Sequence, residues 1–292
     1  MPLFEVHEPV KVDEVSDIVR DFWGITVSKL IKGSQNSTFA AADEETGRKY
    51  AVRVTPDVAN KHYGRICDEM TFVEFLHNVY KLPGVCAPVR PSKVVHEPTP
   101  EDASSTATEA QTGKKIQTST VGRPHHPAVV CHGHFIIVVF EWAHGKPVDF
   151  GSYRWMLDES LVRAWGSWLA TLHAGSRSFM AECPVVAKRM RNWDQVHEAI
   201  LAGAALHPSD AAAAQNPEEF GVLHGDCNVS NFFVLEGEQG GAKDIQMSVF
   251  DWDQVQLGWW EFDVTQVCIA RRHPRPRVSN VSATFRRLCR PT

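Results

Sequence analysis

Val12, Val15, Ile18, Val19 and Phe22 recur at the spacing of one helical face, so an amphipathic helix is predicted near the start of the chain. Short segments at 27–31, 38–42 and 49–54 then read as strands, the second and third joined by a turn at Glu44-Glu45-Thr46-Gly47. Ile66, Met70, Val73, His77 and Tyr80 share a second helical face, and residues 86–95 return to a strand pattern. Leu161, Ala164, Trp165, Trp168, Leu169 and Leu172 mark a long amphipathic helix further on. Residues 97–127 are rich in Pro, Ser, Thr, Glu and Ala and have no period. They read as a flexible insertion at the tip of a hairpin whose strands are 88–95 and 129–141. The pattern therefore predicts an α+β chain of two lobes: a mixed antiparallel-sheet lobe over 1–143 and a mostly helical lobe over 144–292.

Composition narrows the partners. Of 292 residues, 43% are apolar and 22% charged, with a formal charge of -5, so no basic field invites nucleic acid or an acidic membrane. The longest apolar run, 135–140, is far short of the roughly 20 residues that a spanning helix needs. The opening Met-Pro-Leu-Phe-Glu lacks the basic start and apolar stretch of a signal peptide. Seven cysteines without a C-x-x-C fit neither a disulfide framework nor a zinc site, so the expected compartment is a reducing cytosol.

The most specific string is His224-Gly225-Asp226-Cys227-Asn228-Val229-Ser230-Asn231. Four fixed residue types at those spacings should arise by chance only ~0.002 times in a chain of this length, so an ordinary Asx-turn loop is a poor explanation. A second string, Asp251-Trp252-Asp253, closes an apolar segment. Residues 232–235 and 246–250 flank the Gly-rich 237–241 and predict an antiparallel hairpin. Pairing to a residue-number sum near 482 sets Asn231 opposite Asp251, beside Asp226. Such a small oxygen set suits Mg²⁺, with phosphates and water completing its octahedron.

Together these strings resemble the aminoglycoside phosphotransferase and choline kinase family, small-molecule relatives of protein kinases, over about residues 27–267. The resemblance implies a two-lobed protein-kinase-like fold. It makes Asp226 the catalytic base and Asn231 and Asp251 the metal ligands. His224 braces the loop, Gly258 and Asp263 match the Gly and structural Asp that follow, and Asp253 serves a second metal or the acceptor. Gly33, Ser34, Asn36 and Ser37, between two predicted strands, fall where a loop would cover nucleotide phosphates. The family's phosphate-gripping lysine position carries Arg53, a departure that keeps the charge but not the shape. Glu69 lies within about 40° of the centre of the second helix's apolar stripe and Glu74 about 100° away, so Glu69 is the expected partner of Arg53, with Glu74 as runner-up. Glu141 and Ala143 match the hinge whose backbone meets adenine.

The implied activity is transfer of the γ-phosphoryl group of ATP, with Mg²⁺, to a hydroxyl of an amino alcohol, sugar or aminoglycoside-like molecule. Two alternatives stand beside it: a catalytically silent nucleotide-binding regulatory module of the same fold, and a glycosyltransferase reading Asp251-Trp252-Asp253 as D-x-D. A protein kinase fits less well, because His-Gly-Asp stands for H-R-D, Asp-Trp-Asp for D-F-G, and no A-P-E follows. Residues 271–292 carry seven arginines and no acid and read as a basic, disordered tail. Only 29 residues follow Asp263, fewer than the family's further acceptor-pocket helices require.

Overall fold

A computed structural model describes residues 10–33, 36–59, 61–93, 124–196, 218–239 and 242–269. The expected insertion, apart from 124–127, and the basic tail lie outside these residues. The chain opens with helix α1 (Val12–Trp23), whose Val15, Val19 and Trp23 are buried, and whose first turn is capped by the Glu14 carboxylate accepting the Lys11 N–H at 2.7 Å. Strands β1 (Thr26–Gly33), β2 (Ser37–Ala42) and β3 (Lys49–Pro56) form an antiparallel meander. Helix α2 (Tyr63–Asn78) follows, then β4 (Pro88–Val89), β5 (Val129–His132) and β6 (Phe135–Glu141).

The sheet order is β1-β2-β3-β6-β4, with β5 also paired to β6. Two expectations are corrected here. The stretch 129–141 is not one strand: Gly133, at φ 59°, turns the chain so that β5 folds back on β6. Among its described residues, 86–93, the stretch 86–95 contributes the two residues of β4, which pair with Val139 and Phe140 of β6. Strand alternation gives the sheet two different faces. Tyr50, Val52 and Val54 of β3 pack with α1, Phe39 and Val139, while Ala51 and Arg53 face the other way.

The second lobe is built on α4 (Glu159–Glu182), preceded by β7 (Lys146–Pro147) and α3 (Arg154–Leu157) and followed by α5 (Pro184–Ala187) and α6 (Trp193–Val196). Asp158 caps α4, its carboxylate accepting the N–H groups of Ser160 at 3.1 Å and Leu161 at 3.3 Å. The predicted stripe of Leu161, Trp165, Trp168, Leu169 and Leu172 is buried. Strands β8 (Phe220–Leu223) and β11 (Gln256–Trp259) pair with each other, and β9 (Phe232–Gln239) pairs with β10 (Ala242–Val249). Helix α7 (Trp260–Ile269) ends the described chain. Among the described residues, no helix is long and apolar enough to cross a membrane. Trp252 is 1% exposed and sits where the parts converge, with ring contacts to Phe72 of α2 at 6.2 Å and Trp168 of α4 at 6.1 Å.

Backbone groups also tie the two lobes together. The Val249 N–H donates to the Gly84 carbonyl at 2.7 Å, and the Cys86 N–H returns a bond to Val249 O at 3.2 Å. Gly84 adopts φ +74°, and a Cβ there would come 1.7 Å from the Met247 carbonyl oxygen. Gly84→Ala should therefore cost about 2–4 kcal/mol, because the clash adds to the left-handed strain. Gly47→Ala has the same kind of φ but open space around it, and should cost about 1–2 kcal/mol. Urea unfolding of the two variants measures the difference, and equal losses would show that the 84–86 contact is not tight.

Candidate active site

β8 runs into a loop that is held by one buried carboxylate. Asp263 has no exposed surface, and it accepts the N–H groups of His224 at 3.1 Å and Gly225 at 2.8 Å. His173 Nε2 of α4 lies 3.2 Å from the same carboxylate. Gly225 has φ +81°, and a Cβ would meet the Gln254 carbonyl oxygen at 2.1 Å, so a glycine is required. The Asp226 N–H donates to His224 Nδ1 at 3.3 Å. That arrangement leaves the ring proton on Nε2, which donates to Phe250 O at 3.1 Å. His224 thus braces two strands of backbone while its ring lies against Trp252 at 4.4 Å.

This bracing presents Asp226. Its Oδ2 accepts from Asn231 Nδ2 at 2.8 Å and its Oδ1 from Asn228 Nδ2 at 2.7 Å, so both carboxylate oxygens are oriented by amides. Asn231 Nδ2 also donates to the Asp226 carbonyl at 2.9 Å. Cys227 between them is buried, and burial pushes its thiol well above the usual range, which makes it inert as a nucleophile.

The β9/β10 register pairs Phe232 with Val249, a sum of 481 and not 482. Asn231 therefore lies opposite Phe250, whose N–H donates to Asn231 O at 3.0 Å. Asp251 comes one residue later in a left-handed conformation, φ 64° and ψ 59°, a position uncommon for a residue with a side chain. Asn231 and Asp251 both line a cleft of about 500 Å³. Its walls are largely apolar, with Ala51, Phe140, Phe233 and Phe250, and its charged end holds Arg53, Lys32 and Asp251.

Arg53 and Glu69 meet at 2.7 Å, with side chains 5% and 3% exposed. Burial lowers the pKa of Arg53, but the Glu69 charge and hydrogen bond outweigh it and leave the guanidinium above its ordinary value. Among the described residues, Arg53 Nε and Nη2 and Glu69 Oε2 have no hydrogen-bond partner although buried. Glu74 is elsewhere, pairing with Arg90 at 2.6 Å and His126 at 2.9 Å.

The other predicted positions divide. Gly33 ends β1 opposite Ser37, and Ser34 lies outside the described residues. Asn36 bridges the lobes, its Nδ2 donating to Asp253 Oδ2 at 2.9 Å while its Oδ1 accepts from Thr55 at 2.7 Å. Ser37, expected beside the phosphates, is instead buried with its Oγ accepting the Val10 N–H at 2.9 Å, on the α1 side. Glu141 and Ala143 both line the cleft, and the Glu141 N–H is already used, donating to the Ala87 carbonyl at 2.9 Å. Burial, and then the charge of Asp251, raise the Asp253 carboxyl to about 6. The Asp253 carbonyl accepts from Arg65 at 2.8 Å and Arg191 at 3.0 Å.

Sequence reasoning missed Asn228, Lys32, Arg65 and Arg191. Lys32 Nζ lies 2.8 Å from Asp251 Oδ2. Burial lowers the pKa of Lys32, and the charge and hydrogen bond of Asp251 more than offset it, leaving it raised. Among the described residues, no group of three His, Cys, Asp or Glu side chains converges to hold a metal unaided.

A sequence profile described as the phosphotransferase enzyme family matches residues 26–287. No curated protein matches the chain.

The buried ion pair makes its own prediction. Glu69→Ala leaves Arg53 charged and uncompensated, and Arg53→Ala does the same to Glu69, so each should cost about 3–5 kcal/mol. The double variant should cost less than the sum by about 1–3 kcal/mol. Urea unfolding of the four proteins gives the coupling, and strict additivity would contradict a working pair.

Proposed function

Because the chain belongs to the phosphotransferase enzyme family, matched over residues 26–287, we propose that it moves the γ-phosphoryl group of ATP to a hydroxyl of a small molecule. The observation that carries this reading is that Asn231 and Asp251 both line a cleft with apolar walls while Asn231 is hydrogen-bonded to the Asp226 carboxylate. Ala51, Phe140, Phe233 and Phe250 offer flat apolar surface suited to a purine. The Arg53 N–H groups that lack protein partners suit phosphate oxygens.

The residues also fit a hard divalent cation. Asp251 Oδ2 already holds a cation, the Lys32 ammonium, at 2.8 Å. Burial, and then repulsion from Asp251, raise Asp253, and the second of these is what a cation beside the two carboxylates would relieve. Asn231 and Asp251 would hold Mg²⁺ through oxygen, the remaining positions going to phosphates and water. Once bound, the ion would neutralise charge on the phosphates.

Asp226 is the base in this reading. Its two oxygens are oriented by Asn228 and Asn231, so the acceptor hydroxyl meets a fixed carboxylate. The hydroxyl proton passes to Asp226, the acceptor oxygen forms a bond to the γ-phosphorus, and the bond to the β-phosphate oxygen breaks to release ADP. Arg53, held by Glu69, steadies the phosphates throughout. An amino alcohol, sugar or aminoglycoside-like acceptor is the proposed class.

Acceptor-dependent ADP release with Mg²⁺, screened across those three classes, tests the reaction. Asp226→Asn should lower turnover ~10²-fold or more while ATP affinity stays within about threefold. Equal loss of both would count against Asp226 as the base. Asp251→Ala should abolish the tightening of ATP binding by Mg²⁺ in calorimetry, and an undiminished Mg²⁺ effect would move the ion away from Asp251.

A further inference from the structure

Strand β1 does not alternate regularly at its end. Leu30 pairs with Phe39 and Lys32 with Thr38, so β1 advances two residues while β2 advances one. The extra residue makes a bulge, which re-aims the side chains after it. As a result the neighbours Ile31 and Lys32 both line the cleft, where an unbroken strand would have sent one of them to the opposite face. The Lys32 ammonium then reaches from the first lobe to Asp251, 219 residues away in the chain.

Lys29, Lys32 and Arg53 all line the cleft; Lys32, which reaches Asp251, and Arg53, which Glu69 holds, differ in freedom. Arg53 is 5% exposed and fixed by Glu69, whereas the Lys32 side chain is 56% exposed and ends in a freely rotating ammonium. Lys32 occupies one oxygen of the carboxylate that a divalent ion would use. An ammonium and a divalent ion cannot share that oxygen without strong like-charge repulsion. Once displaced, the ammonium would have phosphate oxygens within the same cleft, with Asp226 and Asp253 as competing carboxylates nearby.

We propose that Lys32 is an exchangeable counter-ion: it holds Asp251 in the nucleotide-free protein, yields that carboxylate to the divalent ion, and then pairs with the nucleotide phosphates. The inference rests on the reading that Asp251 binds the ion. It makes Lys32 a nucleotide-positioning residue, supplying the mobile positive charge that the fixed Arg53 cannot.

The test uses Mn²⁺ as probe, its free concentration followed by electron paramagnetic resonance in the absence of nucleotide. Lys32→Met should bind Mn²⁺ roughly three- to fivefold more tightly than the unaltered protein, the range expected for releasing a half-exposed pair. Lys49→Met, which removes the same charge from an exposed position on β3, should leave Mn²⁺ binding unchanged. In calorimetry with saturating Mg²⁺, Lys32→Met should bind ATP several-fold more weakly, and Lys32→Arg should restore most of that loss. Opposite shifts for metal and nucleotide support the exchange. Unchanged Mn²⁺ binding in Lys32→Met, or an equal gain in Lys49→Met, overturns it. Asp251→Ala separates the two levels: if it keeps full Mn²⁺ affinity, the metal assignment falls and the exchange falls with it. If it loses Mn²⁺ while Lys32→Met changes nothing, only the exchange is wrong.

Discussion

A carboxylate with no exposed surface has to be saturated by hydrogen bonds, and Asp263 achieves this by gathering the backbone of His224 and Gly225 with His173 close by. That single requirement joins α7, α4 and the loop after β8. Gly225 passes against the Gln254 carbonyl because it has no side chain, and His224 carries the constraint to Phe250 at the end of the β9/β10 hairpin. Asp226, Asn231 and Asp251 are therefore set by backbone anchored behind them, with Trp252 packed beneath. A rigid rear support of this kind is what a phosphoryl-transfer centre needs, because the protein's contribution there is positioning and charge.

The front of the cleft is organised by unlike charges drawn from both lobes. Lys32 contacts Asp251, and Asn36 contacts Asp253 from the far side of the Gly33 turn. Arg65 and Arg191 converge on the Asp253 carbonyl. Lys32 and Asn36 link β1 and the start of β2 to the Asp-Trp-Asp segment through contacts more exposed than the anchorage at Asp263. The difference places the firmer anchorage behind the proposed reacting groups and the more exposed contacts in front of them.

Much of this was legible in the sequence, and the exceptions have physical reasons. Apolar stripes predicted α1, α2 and α4 because a helix must bury one face. The meeting of Arg53 with Glu69 was legible because a charge on a buried stripe demands a partner, and the helical phase ranked Glu69 ahead of Glu74. The break at Gly133 was missed although His132-Gly133-His134 interrupts the apolar pattern just before the run 135–140, a turn signal of the kind that separates two hairpin strands. The inter-lobe contact at Gly84 is made by backbone, which leaves little trace in side-chain chemistry. Lys32 fell just beyond the predicted strand 27–31, and the bulge that turns it inward has no signature in residue type. Ser37 read as a loop hydroxyl, yet its place at the start of β2 turns it toward Val10.

The central claim is that Asn231 and Asp251 jointly hold the ion that accompanies the nucleotide. Fe²⁺ substituted for Mg²⁺ in the presence of ATP, ascorbate and peroxide generates hydroxyl radicals that cut backbone near the ion, and the fragments can be mapped by mass spectrometry. The account predicts ATP-dependent cuts in two segments distant in sequence, 226–231 and 251–253. ATP-dependent cutting confined to other segments, or cutting at only one of the two, would contradict it.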